Sequence, residues 1–229
     1  MDMVLSSLSE AHALISSGKP ADLGWLLGFC VGIFYVSTAI VLYGVVIAVV
    51  RRDVWGFINP VEAMVRYAGY LSACLIPLLA VLIVYEVISR YVFNAPTSWA
   101  FEVSYMLMGS SLMLAIAFCS QLRRHIRVDF LYDNVSVKMK ALIDGAGYVF
   151  LLLPMVIWCA WGLWEYFFEA YKVNEVSGES AWNPIIWPFK FTFTFGFYLF
   201  ALQTLVETIK CALVLTGRDV PEPDAGVFE

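Results

Sequence analysis

A chain of 229 residues that is 61% hydrophobic and only 14% charged is too apolar for a water-soluble domain, where about a quarter of residues carry charge. The composition places it in a lipid bilayer. A net charge of −5 argues against nucleic acid as a partner, because phosphate binding needs clustered lysine and arginine.

Residues 1–23 form a polar tail in which Asp2 and Glu10 replace the basic start of a secretory leader, so the tail is expected to stay with the mature chain. Five apolar segments follow at 24–50, 67–89, 100–121, 141–171 and 185–215. Each is near or above the roughly 20 residues that cross a bilayer. The expected fold is an all-α integral membrane bundle, with four core helices within 60–217, an additional N-terminal helix over 24–50 and a short disordered tail over 218–229.

The first segment is uncharged and ends at Arg51-Arg52. Ahead of the second, Asn59-Pro60-Val61-Glu62 has the pattern of an Asn cap with proline at the first helical position. The second segment carries Glu86 near its end, four residues before Arg90, an order and spacing that favour an ion pair. The third opens with Ser98 as a cap and Glu102 in its first turn, where a carboxylate complements the helix dipole. The fourth, like the second, contains a proline (Pro154 and Pro77), and both are candidate kinks. The fifth contains Lys190, Glu207 and, at i+3, Lys210. Its start reads FKFTFTFGF, an alternation that taken alone predicts a strand. A lone strand cannot satisfy its backbone in lipid, so a helix is expected there too. Gly217 followed by Pro221 predicts the stop.

Lysine and arginine in short loops set the orientation. The loop after the third segment holds Arg123, Arg124, Arg127, Lys138 and Lys140 and is expected in the cytoplasm. The turns around residues 90–99 and 172–184 are then external, the N-terminal tail outside and the C-terminus inside. Trp99, Trp182 and Trp187 fall at the external boundary, where indole rings anchor helices in the headgroup belt. Gly28-x3-Gly32 and Ser111-x3-Ala115-x3-Cys119 are spacings that permit close helix approach.

No carboxylate falls at a segment's midpoint, which argues against a proton or ion path through this chain. The two histidines, His12 and His125, lie outside the apolar segments, so axial haem ligation is not indicated. The five cysteines lack ligand spacing and are expected to be small buried hydrophobes. No nucleophile–base pair or phosphate loop is present; nothing suggests an enzyme, a metal or a cofactor.

One pattern is more specific. Arg90, Tyr91, Phe93, Asn94, Trp99 and Glu102 read R-Y-x-F-N-x4-W-x2-E; the basic turn Arg123-Arg124-His125-Ile126-Arg127-Val128-Asp129 follows, then WNPIIWPFK, which contains Trp187 and Lys190, with Gln203 and Glu207 beyond it. Together these resemble the small membrane subunit (DctQ type) of tripartite ATP-independent periplasmic, or TRAP, transporters, over about residues 67–217. The resemblance implies a multi-pass protein of the bacterial inner membrane. It would pack on a large membrane subunit that takes up an organic acid on an ion gradient, delivered by a periplasmic solute-binding protein. It also implies structural or inter-subunit roles for Glu86, Arg90, Asn94, Trp99, Glu102, Arg124, His125, Asp129, Trp187, Lys190 and Glu207. Arg90 is placed to pair with Glu102 or with Glu86. Most relatives have four spans, so the helix over 24–50 departs from the pattern. The competing reading is a membrane anchor for an oxidoreductase complex.

Overall fold

The computed structural model describes residues 24–51, 53–122 and 136–217. The elements are α1 (Gly24–Arg51), α2 (Trp55–Tyr91), α3 (Ala100–Gln121), α4 (Val137–Gly147), a π-helical turn (Tyr148–Leu152), α5 (Leu153–Lys172) and α6 (Trp187–Leu215). With α4, the π turn and α5 counted as one rod, five helices are long and apolar enough to cross a membrane. The fold is all-helical, as the sequence predicts; the alternating FKFTFTFGF run is helix.

Boundaries differ from the sequence reading where local chemistry outweighs pattern. The second helix starts at Trp55, with Asn59 and Pro60 inside it. Asp53 starts it instead, its carboxylate accepting the Trp55 amide at 3.1 Å. The extra turns are stabilised by burial, since Phe57, Ile58, Val61 and Val65 all enter the core. Ser98 does not cap α3, whose first flanking residue is Trp99 and which has no side-chain cap. Near Pro154 the rod widens: Leu153 N–H reaches back to the Tyr148 carbonyl, a five-residue step. Proline offers no N–H to the preceding turn, and a wider turn there re-pairs the backbone. Gly217 takes a left-handed conformation (φ +79°) just past α6, as a helix stop requires.

The bundle is organised around α6, half of whose apolar stretch is buried against 6–17% in the other spans. It packs against every other helix. One apolar core joins α2, α3, α5 and α6 through Val61, Val65, Leu114, Val156, Leu199 and Val206. A second joins α1 to α5 and α6 through Leu27, Val31, Phe167, Trp187 and Phe191. α3 and α6 touch backbone to backbone at Gly196, where an added Cβ would lie 2.5 Å from the Met113 carbonyl oxygen.

The expected small-residue seams divide. Ser111 lies at a close α2–α3 contact, its carbonyl accepting the Ser72 hydroxyl at 2.7 Å. A Cβ added at Gly28 or Gly32 would meet nothing within 4 Å; α1 approaches α2 instead at Gly44, against Gly56 and Pro60. The outer faces are strongly apolar, with Phe150, Trp158 and Val50 each about three-quarters exposed or more. In water such surfaces would drive aggregation; in a bilayer they are solvated by lipid or by another membrane protein.

Candidate functional site

The charged side chains of the described residues sit in the first or last dozen residues of their spans. They gather at the two ends of the bundle and leave its middle to apolar packing and hydroxyl groups.

At one end, two connections meet. The first is the turn between α2 and α3. Asn94 adopts φ +50°, a left-handed conformation that asparagine tolerates better than most residues. Ser89 closes the turn, its hydroxyl donating to the Ala95 carbonyl at 2.6 Å and its own carbonyl accepting the Ala95 amide at 3.0 Å. Arg90 donates to Glu86 Oε1 from Nη2 at 2.6 Å and from Nε at 3.2 Å. The Thr97 hydroxyl donates to the other Glu86 oxygen. Of the two partners open to Arg90, the structure selects Glu86, one helical turn away. Trp99 stands beside Tyr85, with ring centroids 6.0 Å apart, and is partly exposed.

Glu102 turns elsewhere. It is fully buried, and its Oε2 accepts the Ser177 hydroxyl at 2.5 Å. Ser177 belongs to the second connection, between α5 and α6. That loop folds back on itself through a single β-bridge, Val176 to Ile185. Left-handed backbone at Asn174, Gly178 and Asn183 makes the reversals. The Asn183 side chain accepts the Gly178 amide at 2.7 Å. This fold puts Ser177 over Glu102 and Glu175 over Lys190. The Lys190 ammonium, 5% exposed, donates to Glu175 at 2.5 Å and lies 3.5 Å from the Tyr166 ring centroid. A long lysine whose stem is buried and whose charge meets a carboxylate and an aromatic face is well satisfied.

Trp187 departs from its expected place in the headgroup belt. It is fully buried between Phe167 and Tyr171, whose ring centroids lie 6.4 and 5.4 Å away. Trp182, in the loop, keeps the exposure expected of an anchor.

At the opposite end the helices are joined by a buried ionic cluster. Lys210 of α6 donates to Glu62 of α2 and, at 3.1 Å, to Glu207 one turn back. The Gln203 amide donates to Glu207 at 3.0 Å. Glu207 and Gln203 are fully buried and Lys210 nearly so. The Glu207–Lys210 spacing is visible in the sequence, but Glu62, 148 residues from Lys210, is not detectable as its partner without the fold. The same holds for Ser177 and Glu175, which sequence reading passes over as loop residues.

Arg124, His125 and Asp129 of the basic turn lie outside the described residues. Among the described residues no three acidic, histidine or cysteine side chains are arranged to hold a metal ion. All five cysteines are free; Cys74 faces outward from α2 where a buried site was expected, and Cys30 and Cys211 are buried. The arrangement has the chemistry of a brace: ion pairs and hydrogen bonds tie helix ends together across connections distant in sequence.

Comparison with known families gives one match: the model for the DctQ component of tripartite ATP-independent periplasmic transporters covers residues 79–213, more than half of the chain. Comparisons with curated proteins and with solved structures give no match.

Proposed function

Because the chain belongs to the DctQ family of tripartite ATP-independent periplasmic transporter components, we propose that it acts as a non-catalytic brace for the large membrane subunit. In that reading it is a multi-pass protein of the bacterial inner membrane, with its N-terminus outside and its C-terminus in the cytoplasm. The large subunit takes up an organic acid on an ion gradient, and a periplasmic solute-binding protein delivers it. The small subunit holds the large one at a fixed depth and tilt.

One observation carries the reading: the charged groups of the described helices lie toward the helix ends, where Glu86–Arg90, Glu175–Lys190 and Glu62–Lys210–Glu207 are paired, so the middle of the described bundle offers no ionisable stepping stone for a solute or ion. A helix bundle with strongly apolar outer faces has surface available for lipid and for a neighbouring span. The family match gives no support to an oxidoreductase anchor.

Reconstitution tests the proposal. Liposomes carrying this chain with its large subunit, supplied with the binding protein and an ion gradient, should accumulate solute. Liposomes with either membrane subunit alone should not. Solute movement by the pure polypeptide, or failure of the two membrane subunits to co-purify, would overturn it.

A further inference from the structure

We infer that the cleft between the α5–α6 loop and the ends of α3, α5 and α6 receives an arginine side chain from a membrane-embedded partner protein, a reading that rests on the subunit role proposed above. The cleft encloses about 560 Å³. Phe101 and Tyr105 of α3 and Phe189 of α6 wall it, and Ser177, Glu179 and Lys190 bring polar groups to it.

The charge count around it is unbalanced. Among the described residues that line it, Lys190 is the one cation, against Glu175, Glu179 and, behind Ser177, Glu102. That lysine is already engaged by Glu175 and the Tyr166 ring. Glu179 is exposed. Glu102 is fully buried, and among the described residues its Oε1 has no hydrogen-bond partner. A buried carboxylate oxygen left unpaired is costly, and most such groups in proteins find a donor. Ser177, whose hydroxyl donates to Glu102, is itself a wall of the cleft, so a donor entering there reaches the carboxylate by displacing that hydroxyl.

Two features select the occupant. The walls are largely aromatic, which suits a side chain with an aliphatic stem and a flat cation able to stack on rings, and which offers a hydrated metal ion few oxygen ligands. Arginine also presents several N–H donors in a fixed fork, enough to pair with Glu179 and keep donors free for a second acceptor. The exposed rings that line the cleft, Phe101 and Tyr166, stand in the first turn and last two turns of membrane-length helices. That is the depth a neighbouring span reaches from the side.

The test uses the intact transporter in its own membrane. A photo-crosslinking residue replaces Phe101, and in a comparison protein replaces Phe150 on the π turn. Separately, Glu179→Lys and Glu179→Asp are assayed for retention of the large subunit through a low-salt detergent wash. The expected results are a Phe101 adduct on a large-subunit peptide that contains arginine, no such adduct from Phe150, roughly tenfold weaker retention with Glu179→Lys and near-normal retention with Glu179→Asp. Size-exclusion elution of the isolated variants checks that they fold. If the wild type retains its large subunit while the Phe101 probe captures only lipid, or while Glu179→Lys changes nothing, the cleft inference falls and the brace stands. If the wild type retains no large subunit, the subunit role fails and takes this inference with it.

Discussion

Replacing Lys210 with methionine is the sharpest test of the ionic cluster joining α2 and α6. The substitution keeps an unbranched apolar stem, with sulfur in place of one methylene, and removes the ammonium. Glu62 and Glu207 then lose a cation that touches both. Lys210 and Glu207 are essentially out of solvent, so the loss is that of a buried pair, roughly 3–5 kcal/mol. Two features place it at the lower end. The Glu62 side chain keeps 17% exposure and can hydrate, and the Gln203 amide still donates to Glu207. We expect about 3 kcal/mol, measured by reversible unfolding in mixed detergent micelles with helix content as the signal. Adding Glu207→Gln to Lys210→Met should restore more than half of the loss, because the carboxylate that the methionine leaves behind is then neutral. A single variant within about 1 kcal/mol of wild type, or a double variant worse than the single, would refute the argument that this cluster is a desolvated charge pair.

Three further outcomes follow from the geometry. Trp187→Ala should cost about 3–5 kcal/mol in the same assay, whereas Trp182→Ala, in the loop and about half exposed, should cost about 1 kcal/mol or less. Gly196→Ala should cost about 1–3 kcal/mol, because its methyl group meets backbone at Met113 and the helices must separate to admit it. Arg90→Ala should leave the isolated subunit folded, since Arg90 is half exposed and its pair is local, but should weaken co-purification of the assembled transporter and lower uptake; unchanged values of both would remove the α2–α3 turn from the inter-subunit contacts.

The architecture was legible because membrane helices advertise themselves by length. The five segments read from hydropathy correspond to the five membrane-length helices, and the third matches to the residue. What failed depended on tertiary position. Trp187 and Trp182 look alike in sequence, both near an apolar boundary, yet only contact with Phe167 and Tyr171 decides which one is core. The Asn59–Glu62 pattern is a sound start signal, overridden because Phe57 and Ile58 gain more by burial than Asn59 gains by capping. Arg90 had two acidic candidates, and the backbone reversal at Asn94 left the near one in reach while Glu102 turned inward. Long-range polar pairs such as Lys210–Glu62 carry no sequence signal, because a single charge does not name its partner.

The position of α6 has a consequence for biogenesis. Every helix that rests on it is translated earlier, so α1 to α5 enter the bilayer before the surface they share exists. Until α6 arrives, Glu62 has no Lys210 to meet and the ring of Phe167 has no Trp187 to lie against. Insertion of the earlier helices and their packing on α6 are therefore separate events, and the second waits on the ribosome reaching the codons for α6. A nascent chain stalled before residue 187 can join α1 to α2 and α2 to α3 but lacks the packing that α6 supplies.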